Sequence, residues 1–223
     1  MPCEEERLTA AGAAASRTIT IGKDAKGKPV ELPMSGALSG ALRCLHDAAC
    51  GSASVLRQPR CAGIGTWQYN NTVAEAAVAL ALSLGYTHID TAIGYDNQEG
   101  IARALKASSR PRSSYFLTSK IPGGLSQSDA MQQLEQSIQQ LGVDFVDMML
   151  VHFPATWGGK GGKAMRQAGW KALEDFYKAG KARAIGVSHF CESHIADVLE
   201  IATVTPAVNQ VYAHERTTTP AAC

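Results

Sequence analysis

From Cys61 onward the chain alternates short apolar runs with longer segments that are apolar along one face only. The runs are A-G-I-G, Y-T-H-I-D, Y-F-L-T-S-K, F-V-D-M-M-L-V-H, A-R-A-I-G-V-S and A-V-N-Q-V. Between them stand V-A-E-A-A-V-A-L-A-L-S-L, Q-E-G-I-A-R-A-L-K, Q-S-D-A-M-Q-Q-L-E-Q-S-I-Q-Q-L, A-G-W-K-A-L-E-D-F-Y-K-A and S-H-I-A-D-V-L-E-I-A. Runs of the first kind suit buried strands and segments of the second suit helices. Their strict alternation predicts βαβ units on a parallel sheet. Thr72, with Glu75 three residues later, predicts a capping box at the first helix. Gly85, Gly142 and Gly180 stand where helices stop.

The first 60 residues read differently. Residues 1–16 are rich in Ala and Glu without a period and are expected to be disordered. Thr18 to Ile21 and Pro29 to Leu32 alternate on both sides of a Gly-containing turn, which predicts a β-hairpin. Residues 35–61 are rich in Ala, Gly, Ser and Cys with no clear period and read as an insertion. The barrel-like region is therefore expected to span 17–211, with a divergent tail at 212–223.

Charge and cysteine content remove several classes of function. The 223 residues carry a formal net charge of +1 with scattered Lys and Arg, so there is no electrostatic case for nucleic acid or an anionic membrane surface. No apolar run reaches the roughly 20 residues of a spanning helix. The N-terminus is acidic and has no apolar signal core. The six cysteines lack paired spacing, so reduced thiols in a cytoplasmic protein are expected, and no metal site is expected. The G-G-K-G-G run at 158–162 lacks the spacing of a phosphate loop and reads as a flexible loop.

The candidate chemistry lies at the ends of the apolar runs. Asp90 closes one, Tyr95 follows five residues on, Lys120 closes the next and His152 the one after. The C-terminal strand ends of a parallel α/β barrel are where such groups collect.

Six segments then resemble the aldo-keto reductase family: G-I-G-T-W-Q, L-G-Y-T-H-I-D-T-A-I-G-Y-D-N-Q-E, T-S-K-I, D-F-V-D-M-M-L-V-H-F-P, G-K-A-R-A-I-G-V-S-H-F and P-A-V-N-Q-V. They cover residues 62–212 in the right order. The resemblance implies a (β/α)8 TIM barrel, here incomplete at about six βα units, with an N-terminal β-hairpin. It implies an NADP-dependent oxidoreductase that binds NADP(H) without a G-x-G-x-x-G fingerprint and reduces aldehydes or ketones to alcohols. Tyr95 would be the proton donor, Lys120 would favour the phenolate, Asp90 would hold Lys120, and His152 would orient the carbonyl. Gly65, Thr66, Trp67 and Asp90 would lie beside the cofactor, and Ser188, His189 and Gln210 at its nicotinamide carboxamide. Trp67, His152 and Phe153 would line the substrate pocket. Two positions depart from the family: His189 where Asn is usual, and Phe153 where Trp is frequent. The partner implied is a small carbonyl compound, bound by a monomer. Two further strand–helix units and a C-terminal loop, which carry the clamp for the 2′-phosphate, are expected by the resemblance beyond Val211. The alternative expectation is a catalytically impaired fragment, or a non-catalytic binding or regulatory protein on the same scaffold.

Overall fold

The computed structural model describes residues 63–211 and, as backbone only, the two strands at 18–23 and 29–33. The expectations for 1–16, 35–61 and 212–223 lie outside the described residues. The two strands, β1 (Thr18–Lys23) and β2 (Pro29–Pro33), pair antiparallel with Ile19 opposite Leu32, as the alternating pattern predicts. They belong to a compact unit of their own, Met1–Ser35.

The second unit holds a parallel sheet of six strands in sequence order. These are β3 (Gly63–Gly65), β4 (His88–Asp90), β5 (Phe116–Ile121), β6 (Val146–Val151), β7 (Ala182–Ser188) and β8 (Asn209–Gln210). Five helices connect them: α1 (Asn71–Ser83), α2 (Gln98–Ser108), α3 (Gln127–Leu141), α4 (Lys163–Lys178) and α5 (Glu192–Leu199). Alternation with sequential neighbours is the arrangement of a β/α barrel, present here as a six-stranded half-barrel.

The core lies between the helices and one face of the sheet. Ile89, Leu117, Ile121, Met149, Val151, Ile185 and Val187 alternate along their strands and are all buried in one cluster with Val78, Ile101, Leu134, Trp170 and Phe176 from the helices. The other residues of each strand face the opposite way. The register places Gly65 beside Asp90, Asp90 beside Thr118, Lys120 beside Leu150, Leu150 beside Gly186 and Ser188 beside Gln210. Those residues therefore share the inner face.

Helix ends follow local chemistry with two departures from the sequence pattern. Asn70, not Thr72, caps α1: its Oδ1 accepts from the Val73 backbone N–H at 2.9 Å. Thr72 is inside the helix. Asn and Thr compete for one orphan donor set, and the residue whose backbone is extended wins; Asn70 has φ −78° and ψ 172°. Helix α4 begins at Lys163 rather than Ala168, and its first turns are tied to α5 by the Arg166–Asp197 ion pair at 2.5 Å. Ser126 caps α3 through a 3.2 Å bond from the Asp129 N–H, and Gly142 ends it with φ 63°.

The loops after β5 and β6 interlock above the sheet. A Cβ on Gly123 would lie 1.8 Å from the Phe153 carbonyl oxygen, so only glycine permits that approach. The run at 158–162 lies in the loop after β6, where hydrogen bonds join Thr156 to Lys160. The Thr156 N–H donates to the Lys160 carbonyl at 2.8 Å, and the Lys160 N–H donates back to Thr156 Oγ1 at 3.0 Å. No helix among the described residues is long and apolar enough to cross a membrane.

Candidate active site

Asp90, Lys120, Ser188 and Gln210 are strand residues, so the sheet register sets their positions directly. Tyr95 lies in a single 3-10 turn, Ile93–Tyr95, just after β4. His152 is the first residue beyond β6; its N–H donates to the Ile121 carbonyl at 2.9 Å, which holds the strand end down.

The centre of the site is a buried ion pair. Lys120 Nζ lies 2.5 Å from Asp90 Oδ1 and donates a second bond, at 2.9 Å, to the Thr91 carbonyl. Lys120 is 2% exposed and Asp90 5%. The second carboxylate oxygen of Asp90 accepts from Gln210 Nε2 at 3.2 Å. So Asp90 joins the first strands of the half-barrel to the last one. Burial of this kind requires every charge to be matched, and here the partners are present.

Tyr95 and His152 converge above that pair. The Lys120 ammonium is 5.4 Å from the centre of the Tyr95 ring. The Tyr95 hydroxyl and His152 Nε2 are 3.5 Å apart, and the two rings meet nearly edge to face, at 72°. That separation is too long for a strong mutual bond. It suits two polar groups aimed at a common third atom.

His152 is held neutral. Burial is the main cause, the Lys120 charge adds to it, Asp90 opposes it, and together they push its pKa down to about 4. His189 is shifted in the same direction, first by burial and then by Lys120. A neutral imidazole has one donor and one acceptor nitrogen, so His152 is able to hydrogen-bond a carbonyl oxygen without delivering a full charge.

This burial has a stability consequence. A histidine with a depressed folded pKa leaves the unfolded chain binding more protons between the two values. The stabilisation is complete above 6.5, the ordinary value, and is lost as pH falls from there toward about 4. Between about pH 7.5 and about pH 5, His152 should cost the fold about 2 kcal/mol. Urea unfolding at the two pH values tests this: His152→Gln should lose correspondingly less stability than the wild type on acidification. Equal losses in both proteins would show that His152 protonates freely in the folded state.

An aromatic stack forms one wall. Phe153 lies 4.7 Å from His152 and 4.6 Å from His189, nearly parallel to the latter at 7°. Trp157 meets Phe153 edge-on at 4.7 Å. His189 has φ 56°, a left-handed backbone that Asn adopts more readily than most residues and that His also tolerates. Trp67, in the loop after β3, is 53% exposed.

The resemblance assigns Ser188, His189 and Gln210 to a nicotinamide carboxamide. The Ser188 hydroxyl donates to the Gln210 carbonyl at 2.7 Å, which leaves its oxygen able to accept. Gln210 spends one N–H on Asp90, and an amide has a second N–H and an acceptor oxygen besides. Ser188 and Gln210 therefore fit an amide group. His189 is stacked on Phe153, a different disposition from the paired donor and acceptor of an Asn side chain. Thr66 is fully buried, and its hydroxyl turns inward to the Asp90 carbonyl at 3.2 Å, so it supports the site from beneath. Gly65 lies directly beside Asp90 in the sheet.

Sequence reasoning missed Asn97. It is fully buried two residues after Tyr95, and its amide binds the Thr66 carbonyl at 2.7 Å and the Tyr69 carbonyl at 2.9 Å. An Asn just ahead of a helix reads locally as a cap, which conceals a side chain used elsewhere. The reduced-thiol expectation also fails at one position: Cys191 is disulfide-bonded. Sequence spacing does not report which sulfurs meet in space.

Residues 62–214 match the Aldo/keto reductase family. The 2,5-diketo-D-gluconic acid reductase B of Corynebacterium is 35% identical over 153 residues, covering 68% of this chain and 53% of that protein. The glyoxal reductase of Bacillus subtilis is 37% identical over 158 residues, covering 70% of this chain and 55% of the relative. The chain thus spans about half the length of the curated relatives it matches. Among solved structures, an aldo/keto reductase from Brucella melitensis superposes with a TM-score of 0.64 at 34% identity, over 68% of this chain and 58% of the other.

Proposed function

This chain belongs to the aldo/keto reductase family, and we propose that its site reduces aldehydes or ketones to alcohols with NADP(H). The observation that carries this reading is the Lys120–Asp90 pair beneath Tyr95, with His152 Nε2 3.5 Å from the phenol. When bound, the dihydronicotinamide would supply the hydride to the carbonyl carbon. The protein's own residues handle the oxygen. Tyr95 donates its proton to the oxygen as negative charge develops there, and the phenolate recovers a proton from solvent. Lys120 favours negative charge on the phenol oxygen because an opposite charge nearby stabilises the ionised form. Asp90 keeps the ammonium in place. Neutral His152 donates a hydrogen bond to the same oxygen and orients the substrate.

Ser188 and Gln210 would hold the carboxamide end of the cofactor, and Trp67 with Phe153 would form apolar walls for the substrate. His189 would contribute through its ring face rather than as an amide substitute. The relatives' names suggest two probes, glyoxal and a ketogluconate. The test is a titration of the 223-residue chain with NADPH and, separately, NADH, by fluorescence quenching. It is followed by loss of NADPH absorbance on adding each probe. Saturable binding with turnover supports the reading, and tighter binding of NADPH supports the cofactor choice. Binding without turnover of any simple aldehyde would favour a non-catalytic protein on the same scaffold. Binding of neither cofactor would overturn the reductase reading and leave the non-catalytic one.

A further inference from the structure

We infer that Asn97 is a positioning residue that locks Trp67 and Tyr95 into one rigid unit. The inference rests on the reductase reading for its catalytic consequence and on the hydrogen bonds alone for its structural one.

The Asn97 side chain is fully buried and its bonds reach two separate segments, while its backbone carbonyl serves a third. Its Nδ2 donates to the Thr66 carbonyl at 2.7 Å and to the Tyr69 carbonyl at 2.9 Å, on either side of Trp67. Its Oδ1 accepts from Thr91 Oγ1 at 3.2 Å, with the Thr66 hydroxyl a longer 3.5 Å away. The Thr91 carbonyl in turn receives Lys120 Nζ. The backbone carbonyl of Asn97 accepts from the N–H groups of Gly100 and Ile101 and so anchors α2. One amide thereby connects the Trp67 loop, the Lys120 support and the turn that carries Tyr95.

Two backbone features show why such a clasp is needed. Gln68, immediately after Trp67, has φ 68°, and Asp96, immediately after Tyr95, has φ 54°. Both are non-glycine residues in the left-handed region, which persists only where the surroundings over-determine it. Asn97 bonds to Thr66 and Tyr69, on either side of the Trp67–Gln68 pair, and is the neighbour of the second. An amide suits the place because it offers donors to two carbonyls and an acceptor to one hydroxyl at once. A carboxylate would set negative charge against two carbonyl oxygens.

The test uses the full chain labelled with 5-fluorotryptophan. It contains three tryptophans, Trp67, Trp157 and Trp170, and Trp67→Phe assigns the resonance of interest. In Asn97→Asp the Trp67 fluorine signal should shift or broaden while that of buried Trp170 stays in place, which also shows that the variant is folded. Thr91→Val, a milder removal of one bond, should move the Trp67 signal in the same direction by less. With NADPH and an aldehyde, kcat of Asn97→Asp should fall about tenfold to hundredfold, the cost of a small misplacement of reacting groups. An unmoved Trp67 signal in folded Asn97→Asp and Thr91→Val would overturn the proposal, as would equal movement of all three signals. If the wild-type chain shows no turnover, the Trp67 signal decides the question alone.

Discussion

Tyr95→Phe is expected to lower kcat for carbonyl reduction by about a thousandfold, within the roughly 10²–10⁴ range for loss of a positioned acid. The change removes one oxygen and leaves the ring. The edge-to-face contact with His152 at 5.5 Å and the Lys120 ammonium 5.4 Å from the ring centre should both survive. Stability should therefore move little, and so should the affinity for NADPH, because Tyr95 is not among the residues that would hold the cofactor. Steady-state kinetics at saturating NADPH, alongside a fluorescence titration, separates the two quantities. A loss of less than about tenfold would mean that another group, with His152 the nearest, supplies the proton.

Lys120→Met should cost more in stability than any other single change at the site. Met keeps the length of the side chain and removes its charge. The Asp90 carboxylate, 5% exposed, would keep only the Gln210 N–H at 3.2 Å. Breaking a buried pair from one side leaves an uncompensated charge and costs about 3–5 kcal/mol. That is a large part of the roughly 5–15 kcal/mol that holds a typical domain together. The double variant Asp90→Asn with Lys120→Met should recover a good part of the loss, because the isolated charge is gone. Urea unfolding of the two single variants and the double variant measures the coupling. A double variant less stable than Lys120→Met alone would show that the pair contributes by something other than mutual neutralisation. Activity should remain absent in both, since the ammonium beneath Tyr95 is missing.

The two results would read different links of the same arrangement. Tyr95 stands on a turn and, in the proposed reaction, acts on substrate, so its loss should appear in rate. Lys120 stands on β5 with its amine buried against Asp90, so its loss should appear first in the fold. The pH response of His152 lies between them. Its neutrality comes from burial and from Lys120, so it reports both packing and charge.

Much of this architecture is readable from local pattern. The six apolar runs are strands, and the segments between them are helices, because each βα unit must bury one face of each element. The Ser126 cap and the stop at Gly142 follow from chemistry within one turn. The alternation also reveals that Asp90, Lys120 and His152 sit at strand ends, where a parallel sheet gathers functional groups. The α1 cap was less legible. Asn70 and Thr72 both carry suitable oxygens, and the choice depended on backbone angles that the preceding loop imposes.

Other features have no local signature at all. Nothing near Gln210 in sequence indicates that its amide reaches Asp90, 120 residues away. Asn97 looks like a helix cap, yet its side chain crosses to the loop after β3. His189 differs from the family's usual Asn, and the sequence shows only a lost amide. The structure shows its ring parallel to Phe153 at 4.6 Å.

The sequence by itself determined which elements form, which face of each is apolar and which residue types stand at the strand ends. These are matters of period and of contacts within a few residues. Tertiary structure alone decided the sheet register, and with it the meeting of Asp90, Lys120 and Gln210. It also decided the convergence of Tyr95 on His152 and the clasp made by Asn97. Those contacts join groups far apart along the chain, and only packed helices behind a paired sheet fix such groups within hydrogen-bonding distance.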